Sequence, residues 1–312
     1  MLRRVQLAFS LFLLSGIAFT PALAAKPDSS ESDAKFIVQV DLQSFRATRL
    51  GSKILDSVQA MVSEQIKEGD AEQKVEEALG FDPIEEIQSI VIRGSSFESP
   101  EEGLEFVVQL DETTGNLEGL MLALPGYEEQ EVDGHTVYSF GEGDMQGVAT
   151  ISETKRGKKA VLAATSEARL MGLLGDSKSW SVNNLEKGEF LNVQILELPD
   201  EVYQQEQAAN VAKMLKSILV NVGQYGDEIQ LSCTLTAQKN KQAEQIQQLA
   251  QGAKAFVSLF KDEIGSDEDA QMILSLLNAV EVDRDENEVT IQAHLPEKMV
   301  VDFLREEADL DL

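Results

Sequence analysis

From residue 36 onward, short apolar or alternating runs are separated by glycine, proline and acidic turn residues, the pattern of a sheet interleaved with helices. Residues 36–40 are predicted as the first strand. Leu50, Ile54, Val58, Met61, Val62 and Ile66 then recur at spacings of three and four, a helical stripe. A short helix is expected from Asp70 to Gly80, where glycine suits the position just past a helix. Asp82-Pro83 turns into a strand over 89–93, and a second strand follows over 104–110. A helix over 116–124 is cut off by Pro125-Gly126. Asp133-Gly134 is a two-residue hairpin signal leading into a strand over 135–140. Strands over 147–152 and 159–164 are expected to pair across Lys155-Arg156-Gly157. Ser166 is placed as the cap of a helix that ends at Gly175.

Beyond a stretch without apolar period, in which Trp180 is expected to pin the chain to one half, the theme repeats. A strand over 190–196 precedes a helix over 201–216. Ile218-Val220-Val222 and Ile229-Leu231-Cys233-Leu235 alternate on either side of Gly226-Asp227, a long hairpin. The helix from Gln242 carries an apolar stripe from Ile246 to Ile264, and its polar face of glutamines argues for packing on its own sheet. Residues 270–277 are helical. Val280-Val282 and Val289-Ile291-Ala293 form a hairpin around Asp285-Glu286-Asn287, and Pro296 opens a terminal helix.

These elements predict an α+β fold: two related, mainly antiparallel-sheet units of βαββα type with helices packed on one face. The expected units are 35–176 and 189–307, joined by a linker over 177–188. Their match is one of element order, in keeping with a remote duplication. Residues 26–34 form a polar lead read as disordered, and 308–312 an acidic tail.

Residues 1–25 read as a secretory signal peptide. Arg3 and Arg4 precede an apolar run over 7–19, and Pro21 leads to Ala22-Leu23-Ala24-Ala25, a small-residue cleavage pattern. The run is too short for a comfortable membrane span, and no cysteine follows it to carry a lipid. The expected product is a soluble periplasmic or extracellular protein with no membrane insertion after cleavage.

Charge narrows the partners. The chain of 312 residues has 55 acidic against 26 basic residues, a net charge of −29. The leader holds two of the basic residues and no acidic one, so its loss takes the balance to about −31. Such a surface repels phosphate backbones and anionic lipids, so no nucleic-acid partner is expected. Cations or a basic envelope or extracellular protein suit it better, while plain solvation explains most of it. Cys233 is the single cysteine, so no disulfide within the chain can form; its alternation with Leu231 and Leu235 reads as a core position.

Motifs that carry chemistry are sparse. The two histidines, His135 and His294, sit in different halves and read as solvent-facing strand residues; no HExxH or paired CxxC is present. Ser152 to Lys155 and Ser32 to Lys35 match an SxxK spacing but fall in a hairpin turn and in the polar lead, where the lysine is not one helical turn from the serine. Gly141, Gly143 and Gly147 have the wrong spacing for a dinucleotide site, and Glu142 and Asp144 between them repel phosphate. Asp283, Asp285 and Asn287 fall at positions one, three and five of a calcium-loop spacing. Glu288 and His294 then stand where the loop needs glycine and a bidentate glutamate. The three form a weak cation-site candidate, with Ca2+ as its ion, inside what reads as an acidic hairpin turn. Asp267-Glu268-Asp269 reads as charge at a helix N-terminus.

Val40-Asp41-Leu42, Phe45-Arg46-Ala47, Leu50-Gly51, the stretch 79–83 (Leu-Gly-Phe-Asp-Pro) and Ile87-Gln88-Ser89-Ile90 resemble a loose group of secreted proteins common in planctomycete-type bacteria. The stretch 191–199 and His294-Leu295-Pro296 are similar to that group's second half. The resemblance implies export and an α+β fold, and brings no site residues with it.

The expected function is therefore that of a non-enzymatic secreted acidic protein acting by binding or assembly in the cell envelope or outside the cell. The alternative is a carboxylate-dependent hydrolase of glycans or peptides, which needs two facing carboxylates in a cleft, one with a raised pKa. A third reading is a cation- or small-ligand-binding module.

Overall fold

The computed structural model describes residues 33–67, 82–99, 103–112, 117–122, 126–142, 145–153, 158–176, 185–204, 209–259 and 279–308, with residues 114, 115, 124, 180 and 182 between them. The predicted leader, the helices over 70–80 and 270–277, the turn at 155–157, Gly143 and Asp267-Glu268-Asp269 lie outside the described residues.

The fold is α+β and its strands are paired antiparallel throughout. The first unit supplies β1 (Phe36–Asp41), β2 (Ile87–Gly94), β3 (Leu104–Leu110), β4 (Glu128–Val132), β5 (His135–Glu142), β6 (Met145–Glu153) and β7 (Lys159–Ala164). The second supplies β8 (Glu189–Ile195), β9 (Leu215–Tyr225), β10 (Glu228–Ala237), β11 (Val280–Asp285) and β12 (Glu288–Pro296). β1 pairs on one side with β2 and on the other with β8, Val38 standing between Ile92 and Val193. The two sets of strands thereby fuse into one twelve-stranded sheet, ordered β11-β12-β10-β9-β8-β1-β2-β3-β7-β6-β5-β4. At the usual strand spacing it is about 50 Å wide.

Nine described helices join these strands: α1 (Leu42–Arg46), α2 (Arg49–Lys67), α3 (Pro83–Glu86), α4 (Leu117–Leu122), α5 (Glu167–Gly175), α6 (Asp200–Gln204), α7 (Ala209–Ala212), α8 (Asn240–Leu259) and α9 (Glu297–Ala308). How they cover the sheet differs between its halves. In the first half, one face presents Val91, Val107, Ala160, Leu162 and Ala164 to Leu170 and Leu173 of α5 and to Trp180. The opposite face presents Val108, Val161, Ile151, Tyr138 and Ala149, covered by Leu117 and Met121 of α4. Both faces are therefore apolar, as near-continuous runs such as Lys159–Ala164 (KAVLAA) require.

The second half has one apolar face. Ile229, Leu231, Cys233 and Leu235 of β10 stand in register with Val222, Val220 and Ile218 of β9 and with Ala293, Ile291 and Val289 of β12. Helices α1, α2 and α9 close one end of this face through Phe45, Leu50, Ile54 and Val301. α8 closes the other end through Ala243 and Ile246. The alternate positions, Gln230, Ser232, Thr234, Thr290, Gln292 and His294, form a half-buried polar face, on which the Thr234 and Thr290 hydroxyls lie 3.3 Å apart. Asn192, fully buried, donates to Asn221 Oδ1 at 2.5 Å and accepts from Gln194 at 2.9 Å, continuing the polar face towards β1.

Both outer strands are acidic. Glu128, Glu129 and Glu131 on β4 and Glu281, Asp283 and Asp285 on β11 are all exposed. Unpaired strand edges invite pairing with other chains, and like charge at both edges opposes it. Part of the net charge thus sits where a wide open sheet needs it.

Two elements depart from the sequence reading. Of the helix expected over 201–216, the described parts are α6 and α7, and it gives way to strand at Leu215, where β9 begins. β10 runs on to Ala237, whose partner is Leu215, and strand pairing overrides helical propensity there. The second departure is β4, whose sequence EEQEV has almost no apolar signal; Asp133 (φ 48°) and Gly134 (φ 81°) make the tight turn that holds it on β5. Trp180 packs into the core of the first half. It is 3% exposed, its indole N–H donates to Leu173 O at 2.7 Å, and its own carbonyl accepts from Gln109 at 2.7 Å. Among the described residues no helix is long and apolar enough to cross a membrane.

Candidate functional site

One cleft gathers charged side chains from three distant parts of the chain. Its first wall is the start of α2. Thr48 caps that helix: its hydroxyl oxygen accepts from Gly51 N–H at 2.8 Å while its O–H donates to Phe45 O at 2.7 Å. Gly51 is required because a Cβ there would lie 1.9 Å from Phe45 O. The tight α1–α2 corner sets Arg49 and Lys53, one helical turn apart, on the same flank.

The floor is the β9–β10 hairpin and the last residue of β12. Gln224, buried on β9, links all three parts. Its side-chain oxygen accepts from Leu50 N–H at 3.0 Å, and its amide nitrogen donates to Gly226 O at 3.1 Å and to Glu297 Oε2 at 2.9 Å. Glu297 opens α9, where the helix dipole favours a carboxylate. Its backbone N–H donates to Asp227 O at 2.9 Å. Lys53 Nζ lies 2.7 Å from Glu297 Oε1 and Arg49 Nε 3.0 Å from Oε2, while Arg49 also reaches Asp227 and Gly226 O.

Glu297 is only 9% exposed, so burial alone would raise its pKa. The hydrogen bond from Lys53 outweighs that penalty. With the charges of Lys53 and Arg49 and the bond from Gln224, it holds the carboxyl below its ordinary value of 4.5. The group stays ionised at neutral pH.

The second wall is the flank of α9 bearing Lys298, Val301, Asp302 and Arg305, spaced so that all four share one side. Arg305 Nη1 lies 3.3 Å from Asp302 Oδ1. The two walls enclose an open cavity of about 520 Å3. Four cations, Arg49, Lys53, Lys298 and Arg305, face it in a chain whose acidic residues outnumber its basic ones by more than two to one.

The residues singled out by sequence are elsewhere. Asp283 and Asp285 are exposed on β11, paired with Thr290 and Glu288 across the hairpin. Asn287 is turned away from them: its side-chain amide donates to Ala237 O at 3.1 Å, and Glu286 beside it takes φ 47° to make the turn. Among the described residues no group of three or more His, Cys, Asp or Glu side chains is placed to hold a metal ion. His135 is exposed on β5; His294 lies on the polar face of β12, with Nδ1 3.8 Å from Glu228 Oε2. Cys233 is half-buried on the apolar face, and burial pushes its thiol pKa up, away from a reactive thiolate.

Sequence reasoning passed over Arg49, Lys53, Lys298 and Arg305. The usable signal was their spacing: basic residues one or two helical turns apart on two helices of an otherwise acidic protein.

No family model and no curated protein matches the chain. Among solved structures it is similar to those of TP0453. Crystal form III is 7% identical with a TM-score of 0.44, covering 88% of this chain and 94% of that one. Crystal form IV is 8% identical with a TM-score of 0.44, covering 87% and 92%. Crystal form I is 6% identical with a TM-score of 0.41, covering 88% and 93%.

Proposed function

We propose that this is an exported protein without catalytic activity, acting by binding in the cell envelope or outside the cell. The observation that supports binding over hydrolysis is the state of the carboxylate in the charged cleft. A hydrolase acid must hold its proton near neutral pH, which requires a raised pKa. Glu297 is shifted the other way, and three side chains fix both of its oxygens. It acts as a strut that orients Arg49 and Lys53, and a cleft so built holds charge instead of moving protons. The leader over 1–25 supports the location.

The test pairs two measurements on residues 26–312. Cross-linked capture from envelope and medium fractions should recover a component that native protein retains and a Lys298→Glu/Arg305→Glu variant loses. Turnover of a glycan or peptide that disappears in Glu297→Gln would overturn the reading in favour of the hydrolase.

A further inference from the structure

We infer that β4, the outer strand of the first half, is a docking edge for a basic, extended segment of a partner protein, which adds to the sheet as a further strand. This rests on the binding reading above and names the chemistry of the partner.

β4 pairs with β5 from Glu128 opposite Ser139 to Val132 opposite His135, without a bulge. Its other side has no strand partner among the described residues. The backbone N–H and C=O groups on that side are the template for one more strand. Open edges are usually closed off by lysine, proline, a bulge or a covering element. The opposite edge, β11, is guarded in this way: Lys254 of α8 donates to Val280 O, and Arg284 places a cation within the strand. β4 has no such guard. It reads EEQEV, and Glu128, Glu129, Gln130 and Glu131 are all exposed.

Charge decides which strand can add there. Glu128 lies on the α5 side of the sheet together with Glu167, which accepts from Gln130 Nε2 at 3.0 Å. Glu129 and Glu131 project from the other side, where Glu118 of α4 also acts on Tyr127 and Tyr138. The Tyr127 hydroxyl donates to Glu129 Oε2 at 2.7 Å, so neutral donors orient two of these carboxylates without neutralising them. Among the described residues none of the five has a cation within ion-pair distance. In the α2–α9 cleft, by contrast, carboxylates and cations already satisfy one another. Like charges on neighbouring positions repel each other and any second copy of the chain, whereas a basic strand laid along β4 relieves that repulsion. Because carboxylates flank both faces, the segment carries Lys or Arg at successive positions, not only at every second one.

The test uses the folded protein, residues 26–312, with the fluorescent peptide KRTKVKRTK at constant ionic strength. Anisotropy should show saturable binding. Amide hydrogen exchange over 128–132 should slow when the peptide is bound, with 280–285 unchanged, because the outward N–H groups of β4 gain acceptors. The same peptide N-methylated at its four central residues keeps its charge but offers no backbone donors there from either edge. It should bind at least about tenfold more weakly, as should the acidic counterpart EETEVEETE. Glu128→Gln/Glu129→Gln/Glu131→Gln changes only exposed side chains of like size, so its fold should survive, and it should weaken the peptide about tenfold. Glu281→Gln/Asp283→Asn/Asp285→Asn on β11 should leave binding within about twofold.

Equal affinity for the N-methylated peptide would reduce β4 to a charged surface and overturn the inference. Slowed exchange at 280–285 in place of 128–132 would overturn it in favour of the other edge. Absence of binding, or binding that survives the β4 variant unchanged, overturns it as well. Capture of a component from envelope or medium fractions would in each of these cases leave the wider binding reading standing. Cleavage of the peptide would instead overturn the non-catalytic reading.

Discussion

The two halves of the sheet solve the same packing problem in different ways. From β2 to β4 the sheet is a middle layer, with α5 and Trp180 on one face and α4 on the other. From β8 to β11 it is an outer wall, apolar towards α8 and α9 and polar on its reverse. The difference is visible in single strands. β7 reads KAVLAA and buries every second residue fully while the others pack against α4, whereas β10 reads EIQLSCTLTA and alternates. A sheet covered on both sides gains stability from area alone. One covered on a single side must hold its helices by other means, and here α2 and α9 are also tied to the β9–β10 hairpin by ion pairs around Glu297 and by Gln224.

A charge placed on matching strands of the two halves gives the largest test of this contrast. Leu162 on β7 is fully buried. Leu162→Asp puts an unpaired carboxylate there and should cost more than about 4 kcal/mol, enough to abolish cooperative folding. Ser232→Lys on the polar face of β10 should change stability by less than about 0.5 kcal/mol. Leu162→Ala keeps the comparison measurable if the aspartate variant is lost in expression. It should cost about 2–5 kcal/mol in urea unfolding, against under about 1.5 kcal/mol for Leu231→Ala, which is 40% exposed. Equal losses for the two leucine variants would mean that both halves are buried alike.

Most of this architecture was legible from the residues. The hairpin through Gly226-Asp227, the strand over 159–164 and the helix begun at Gln242 all announce themselves by period, because burial on known faces imposes it. What hid was set by contacts distant in sequence. Glu128–Val132 is a strand because β5 offers it an edge, and its glutamates serve that edge instead of a core. Leu215 is a strand residue because Ala237 pairs with it. The cleft was least visible of all. Lys53 and Glu297 are 244 positions apart, and four cations carry no signal in a composition dominated by acids until the fold gathers them. The calcium-like spacing at Asp283 was legible but local, and the hairpin turns its third member, Asn287, onto a backbone carbonyl.

Acid should separate the halves by mechanism. Glu297 has a folded pKa below its ordinary 4.5, so it binds fewer protons folded than unfolded. Its stabilisation is complete above that ordinary value and is lost as pH falls through the lowered folded one. Glu297→Gln should therefore cost about 1–2 kcal/mol at pH 7, and the gap to native protein should close on acidification below about pH 4.5. High salt should narrow the same gap at pH 7, since Arg49 and Lys53 are about half exposed. Leu162→Ala, in contrast, should show a loss independent of both. Unfolding midpoints in urea across pH and salt would read this, and a Glu297→Gln deficit flat in pH would mean that packing, not charge, holds α9.

The most local expected effect concerns what keeps the first half covered. Trp180 is buried in that core, with Val182 packed against it, and its backbone carbonyl and indole N–H are both hydrogen bonded, to Gln109 and Leu173. Trp180→Phe keeps most of the aromatic area but leaves Leu173 O without its indole donor. An unmade bond of this kind costs about 1 kcal/mol, with a similar amount for the smaller ring. The loss should appear as faster hydrogen exchange in α5 and β7, with β9 and β10 unchanged, because none of the described residues of this core lies on β8–β12. If β10 loosened equally, the fused sheet would be transmitting the change from one half to the other. The two modes of covering it would then be coupled through β1 and β8, the strands at which the halves pair.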